Sequence, residues 1–125
     1  MPQRLIIIPA PIAFVDPETQ IPVQGPQSKL DFAGFLAKLW TNPMWNESWQ
    51  HGLAQRSIAT AFKAASAAGE GSFLIAGEDW ELLAMAAKTP RTVAAGQIVP
   101  GIGYMPAFAS QVLPMQLAII NAEVV

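Results

Sequence analysis

Prolines interrupt the first apolar stretch of the chain, and this constrains the fold more than any other feature. The stretch runs from Leu5 to Val23 and reads LIIIPAPIAFVDPETQIPV, with two apolar, β-prone runs on either side of Asp16-Pro17-Glu18-Thr19. A proline at the second position of a turn has its φ already set, and a preceding aspartate can accept hydrogen bonds from the turn backbone. The sequence therefore predicts a β-hairpin or an extended arm that folds back.

Proline also limits how these strands can pair. Pro9, Pro11 and Pro22 have no backbone N–H, so a strand that contains them can complete a ladder on one side only. The stretch is therefore predicted at a sheet edge, at a bulge, or in an arm that lies on another surface. An exposed apolar edge is prone to aggregate, which makes its cover the main question that the chain raises.

The rest of the chain is poor in charge. Charged residues make up 13% of the 125, about half of the usual ~25%, while 52% of the residues are apolar. Because obligate interfaces resemble a core cut in half, we infer that part of the surface is buried in an assembly. The alternative is a monomer solvated by its glutamine, serine, threonine and asparagine side chains. By length the chain is one domain, 1–125, with a hairpin or arm over 1–24 and a mostly helical body over 28–125.

Charge and hydropathy also argue against two classes of partner. The net charge is −2, and the lysines and arginines are spread singly from Arg4 to Arg91, which argues against nucleic acid as the main ligand. The uncharged segment Ile98–Ala122 carries prolines and glycines, so no membrane span is predicted. Arg4 precedes an apolar run, but Asp16 stands where a signal peptide has small residues, so no signal peptide is predicted.

Helical spacing of apolar residues predicts two helices after the arm. The first covers Phe32–Leu39 and follows Ser28 and Asp31, a pair that resembles a capping box. Asn46 is predicted to cap the second, a longer and alanine-rich helix that ends near Ala68.

Two more helices are predicted in the second half. The run Phe73–Ile75 is either a strand added to the first sheet or the lead-in to a third helix, which has acidic residues at its start and Lys88 in its last turn. A closing helix from Pro106 to about Ala122, with Pro114 in its middle, is apolar nearly all round, which indicates a central position or burial between subunits. The predicted class is α+β, with an N-terminal β-hairpin or extended arm packed with three to four α-helices.

Three tryptophans, Trp40, Trp45 and Trp49, cluster where the first helix ends. One interpretation is a corner where the first two helices meet and the indoles are buried. The other is a stacking platform for a base, a sugar or a partner side chain. The lack of basic neighbours favours the buried corner.

Residues for conventional catalysis are sparse. His51 is the only histidine and is spaced to pair with Gln55, and there is no cysteine. Glu78, Asp79 and Glu81 could bind Mg²⁺ or act as acid and base, but acidic residues are expected at a helix start without any function. We therefore assign no catalytic, cofactor-binding or metal-binding residue, and we predict that the chain is not an enzyme.

Two phrases and the order of the elements resemble a known class of proteins. The phrase FLIAGEDWELL spans 73–83, and QLAIINA spans 116–122. Together with the apolar hairpin, this layout resembles the small head and tail morphogenesis proteins of tailed bacteriophages. The resemblance covers most of the chain and transfers no individual residue. It implies an accessory virion subunit, an assembly chaperone or a host-interaction factor, located in the host cytoplasm during assembly or in the virion.

The leading prediction is a non-enzymatic structural or assembly subunit of a bacteriophage particle, acting in a homo- or hetero-oligomer. The alternative is a small regulatory or inhibitory binding protein that uses the Trp-rich corner to hold a host protein or a small ligand. In the leading prediction the arm and the closing helix are buried against neighbouring protein chains, and backbone pairing along the arm sets the register. The residues predicted for this interface are Ile6, Ile8, Ile12, Phe14, Val23, Trp45, Trp49, Met115 and Ile119.

Overall fold

The computed structural model describes residues 2–26, 28–88, 91–92, 98–99 and 108–125. Four α-helices and short antiparallel strands form the framework of these residues, which confirms the predicted α+β class. The helices are α1 (Phe32–Leu39), α2 (Trp49–Ala67), α3 (Gly77–Lys88) and α4 (Ala109–Ile120), with a 3₁₀ helix at Pro43–Asn46. The strands are β1 (Arg4–Ile7), β2 (Ile12–Ala13), β3 (Lys29–Leu30), β4 (Ser72–Ile75), β5 (Arg91–Thr92), β6 (Ile98–Val99) and β7 (Glu123–Val124).

The start of the first apolar run becomes β1, the centre of a three-stranded antiparallel sheet with the strand order β4-β1-β7. Leu5 lies opposite Leu74 on β4 and opposite Glu123 on β7. The predicted edge position is therefore wrong for this run. Pro9 and Pro11 lie beyond the last residue of β1, so they remove no donor from its ladders.

The end of the first apolar run, from Ile12 onward, forms a hairpin with the second run and β3. Its turn lies where it was predicted, because Oδ1 of Asp16 accepts hydrogen bonds from the backbone N–H groups of Glu18 at 2.9 Å and Thr19 at 3.1 Å. Val15 bridges to Pro22 across this turn, and β2 pairs with β3 further along. We call β2, the turn and β3 the arm. Its two sides pair with each other, while β1 pairs with β4 and β7.

One face of the sheet closes the core. Ile6, Phe73 and Ile75 point to this inner face and are buried. Phe62 of α2 packs edge to face against Phe32 of α1, with 5.7 Å between ring centroids, and against Phe73, with 5.6 Å. Each such aromatic pair stabilises the core by about 0.5–1.5 kcal/mol beyond its buried area. The apolar stripe predicted for the first helix is buried along its whole length.

The caps of the first two helices differ from the predicted ones. Asp31 rather than Ser28 caps α1, because its Oδ1 accepts from the N–H of Gly34 at 2.8 Å. The backbone of Ser28 instead takes part in the arm. Ser48 caps α2, since Asn46 is already part of the 3₁₀ helix. In both helices the observed cap is the residue directly before the first helical residue, and the predicted cap lies two or three residues earlier.

The end of α4 is tied to β1 and α3. The guanidinium of Arg4 lies 3.9 Å from the ring centroid of Trp80 and donates to the carbonyl oxygen of Ala122 at 3.0 Å. The indole of Trp80 donates to the carbonyl oxygen of Ile119 at 2.7 Å. Because the last carbonyls of a helix have no partner within it, these contacts satisfy the end of α4 and connect it to the sheet.

Helix α4 is buried along one side. Val112, Met115 and Ile119 are fully buried, whereas Leu113 and Leu117 on the other side are exposed. Within one chain the helix is therefore not enclosed all round. Its predicted start at Pro106 lies outside the described residues.

Candidate functional site

The opposite face of the sheet is open and largely apolar, with Glu123 of the edge strand β7 beside Leu5. Side chains alternate along a strand, so Leu5, Ile7 and Leu74 point away from the core. Ile7 is 62% exposed and Leu74 is 42% exposed. We call these three residues the outer face. Strands that are apolar throughout are typical of sheets covered on both faces, and the described part of the chain covers the inner one.

A groove of about 470 Å³ lies between β4 and the second half of α2. Ala61, Ala64 and Ala68 line it from α2, at the spacing that places residues on one side of a helix. Leu74 of the outer face lines it from β4. Glu70 is the one ionisable side chain among the described residues that line it. We call this the β4 groove.

The backbone of β4 turns half of its polar groups toward the free edge of the sheet. The N–H of Ile8 donates to the carbonyl oxygen of Gly71 at 2.8 Å, which sets the hydrogen-bonding register between β1 and β4. In an antiparallel ladder, hydrogen-bonded and non-bonded pairs alternate. The N–H and C=O groups of Ser72 and Leu74 therefore point away from β1. No described backbone group bonds to them from the other side.

The structure separates the residues that were predicted for an interface. Buried in the core are Ile6, Phe14, Trp45, Met115 and Ile119. Partly buried against the core are Ile8, Ile12 and Val23. On β1 the predicted residue Ile6 faces the core, and Ile7, which was not among the predicted residues, faces out. A period of two cannot distinguish the two faces of a run that is apolar throughout.

The arm is held by its own chain. The side-chain amide of Gln111 on α4 accepts from the N–H of Val15 at 2.9 Å and donates to its carbonyl oxygen at 2.8 Å. The amide thus makes the two bonds that a neighbouring strand would make. The rings of Phe14 and Phe108 meet edge to face, with 5.5 Å between centroids. Helix α4 therefore supplies part of the cover that the arm requires.

The tryptophan corner is split between core and surface. Trp45 is 3% exposed, and its indole donates to the carbonyl oxygen of Leu39 at 2.8 Å. Trp40 packs edge to face against Trp45, with 5.0 Å between centroids. Trp49 begins α2 and is 74% exposed, and Leu53 lies exposed one turn further along the helix. Trp45 thus has the buried position of the first interpretation, whereas Trp49 has the accessible position of the second.

The single histidine belongs to a helix cap. Oγ of Ser48 lies 2.7 Å from Nδ1 of His51 and accepts from the N–H of the same residue at 3.4 Å. The predicted partner Gln55 is replaced by Ser48, three residues before the histidine. Both side chains lie at the surface, at the start of α2.

The carboxylates predicted at the start of the third helix are in place. Glu78 and Asp79 lie in the first turn of α3. A hydrogen bond from its own backbone N–H lowers the pKa of Glu78. Burial, followed by the charge of Glu78, raises the pKa of Asp79. Among the residues that the structure describes, no three acidic or histidine side chains come together closely enough to hold a metal ion.

Helix length and apolarity together give no membrane-crossing helix in the described ranges. Comparison of the chain with known protein families, with curated proteins and with solved structures finds no match in any of the three.

Proposed function

We propose that the chain is a non-enzymatic subunit of a protein assembly, which buries its outer face against a second copy of the chain. The exposure of Ile7 and Leu74 on a regular sheet supports this proposal most directly. Removal of apolar surface from water favours association by about 25 cal/mol per Å², from which the entropic and desolvation costs of binding are subtracted. Because the sheet is already fixed by the core on its other side, the outer face needs little reorganisation to bind.

The scarcity of charge in the sequence supports the same proposal, since few charged side chains are available to solvate an exposed sheet. The likeness of layout to phage morphogenesis proteins suggests the kind of assembly. We propose a bacteriophage particle, assembled in the host cytoplasm, as the setting.

Light scattering across a dilution series tests the proposal. Ile7→Lys on the outer face is compared with Ile21→Lys on the arm, because Ile7 and Ile21 are 62% and 61% exposed. We expect the wild-type chain and Ile21→Lys to form the same oligomer, and Ile7→Lys to stay monomeric. A lysine in the centre of an apolar interface is buried without a partner, which is strongly unfavourable.

Two results would contradict the proposal. One is a wild-type chain that stays monomeric throughout, which excludes assembly with its own copies. The other is an equal loss of association in both lysine variants, which would reflect general charge rather than the outer face.

The exposed part of the tryptophan corner favours a second candidate function. Trp49 and Leu53 present apolar surface on adjacent turns of α2, and exposed tryptophans are common anchors in binding sites. A small regulatory protein could hold a host protein or a small ligand there. Trp49→Ala should then abolish that binding while helix content, measured by circular dichroism, is unchanged. Met85→Ala, at an exposed apolar residue of α3, is the control.

A further inference from the structure

The outward-pointing backbone groups of β4 lie at the free edge of the sheet, next to the β4 groove. We propose that the β4 groove binds an extended peptide segment of a partner protein, which adds to the sheet as a strand beside β4 and places a basic residue next to Glu70. The inference rests on the proposed function, because it names the kind of segment that the open side of the sheet recognises.

The backbone supplies the first part of the argument. Ser72 and Leu74 each direct one N–H and one C=O away from β1. These groups are two residues apart, as are the outward groups of any extended peptide laid beside them. Strand addition to such an edge derives its affinity from main-chain hydrogen bonds and its specificity from alternate side chains.

The wall formed by α2 supplies the second part. Ala61, Ala64 and Ala68 carry the smallest side chains that a regular helix commonly uses, and they leave open the space beside β4. The groove volume of about 470 Å³ falls within the range of roughly 300–1,000 Å³ that is typical of binding clefts. Leu5 and Leu74 offer apolar contacts to one set of alternate side chains of the incoming strand.

The charge of Glu70 supplies the third part. It is the one ionisable group among the described lining residues, and it lies just before the start of β4. A lysine or arginine on the incoming strand complements it, whereas an acidic residue is repelled. Exposed ion pairs contribute little energy, so we assign Glu70 to the orientation of the peptide rather than to most of its affinity.

The free edge of β7 also carries outward polar groups, but the β4 groove does not extend to it. Val125 donates to the carbonyl oxygen of Gln3 at 3.0 Å, which turns the polar groups of Val124 toward the free side of β7. The β4 groove is lined by residues of β1, β4, α2 and the connection between α2 and β4. Peptide recognition is therefore assigned to β4.

Fluorescence anisotropy with defined peptides tests the inference on the full chain. The probes are fluorescein-labelled seven-residue peptides of alternating valine and threonine, with one lysine at either the amino or the carboxyl end. Matched peptides carry glutamate in place of lysine. A third set consists of two peptides, one N-methylated at the odd-numbered residues and the other at the even-numbered residues. Each of them lacks the N–H donors on one side of the strand. We expect one lysine peptide to bind best, the glutamate peptides to bind about two- to fivefold more weakly, and one methylation phase to abolish binding.

Two pairs of protein variants locate the site. Ala64→Phe fills the groove, while Ala67→Phe adds the same side chain at an exposed position of α2 that does not line it. We expect the first to weaken binding about tenfold or more and the second to leave it unchanged. Glu70→Lys should reverse the preference between lysine and glutamate peptides, whereas Glu81→Lys on α3 should not.

Equal binding of lysine and glutamate peptides, or equal effects of the two phenylalanine variants, would overturn the inference. So would a loss of oligomer mass in Ala64→Phe without peptide binding by the wild type, because the groove would then hold a second copy of the chain. The peptide assay tests the β4 groove, and the mass of Ile7→Lys tests the outer face, so the two results are independent. Association without peptide binding removes the inference alone, and peptide binding without association removes the proposed assembly alone.

Discussion

Pro9 and Pro11 divide the opening stretch into two apolar runs, Leu5–Ile8 and Ile12–Val23, which look alike in sequence but differ in how deeply they are buried. The first becomes β1, has a strand on each side, and buries Ile6 completely. The second forms the arm, where Ile12 is partly buried and Ile21 is 61% exposed. The comparison teaches that apolarity alone does not set the position of a strand. The position depends on how many ladder partners the rest of the chain supplies.

The largest expected difference between the two runs is in global stability. Ile6→Ala should lower the free energy of unfolding by about 2–5 kcal/mol, because it leaves a cavity in a fully packed core. Urea unfolding followed by circular dichroism measures the loss as a lower midpoint. Ile7→Ala, one residue along the same strand and exposed, should cost much less. Similar losses for the two alanine variants would contradict the assignment of inner and outer faces.

A smaller and local effect is expected in the arm. Gln111→Ala leaves the N–H and C=O of Val15 without partners, which costs about 1–3 kcal/mol where these groups stay away from water. Hydrogen exchange at Val15 should become faster, while exchange within β1 changes little. Gln116→Ala is a matched control, since Gln116 also lies on α4 but donates to the carbonyl oxygen of Ala87. Equal acceleration across β1 and the arm would show that the two runs unfold as one unit.

The smallest effect is expected at the turn of the arm. Hydrogen bonds from the backbone N–H groups of Thr19 and Glu18 lower the pKa of Asp16 below its ordinary value of 3.8. A carboxylate with a lowered pKa in the fold stabilises it above the unfolded pKa, and this stabilisation is lost as the pH falls through the lower folded pKa. The amide resonances of Glu18 and Thr19 should therefore titrate below pH 3.8, without a change in β1. In Asp16→Ala this titration should be absent, and a persistent one would assign it to another group.

Local features of the fold could be predicted from the sequence. The stripe of α1 and the turn at Asp16 each depend on residues within a few positions of one another. The cap of α2 was displaced by two residues, because Asn46 and Ser48 are both good caps and the intervening 3₁₀ helix decides between them. Such competition between neighbouring caps cannot be resolved by propensity alone.

The candidate site could not be predicted, because it depends on contacts between distant parts of the chain. The β4 groove joins Leu5 to residues of α2 and β4 that lie more than fifty positions away. Phe73–Ile75 was ambiguous between a strand and the start of a helix, so the edge of β4 could not be placed. The amide of Gln111 gave no signal either, since a glutamine that replaces a strand is recognisable only once its partner is in position.

The central position of β1 has a consequence for synthesis on the ribosome. Its partners are β4, near residue 73, and β7, near residue 123. Synthesis proceeds at about 5–20 residues per second, so a period on the order of ten seconds separates the synthesis of β1 from that of β7. During that time the apolar run of β1 is open to pairing with other nascent chains. Pro9 and Pro11 follow it directly, and prolines beside an apolar strand oppose such pairing. We therefore expect these prolines to protect the unfinished chain, although they interrupt no ladder in the finished sheet.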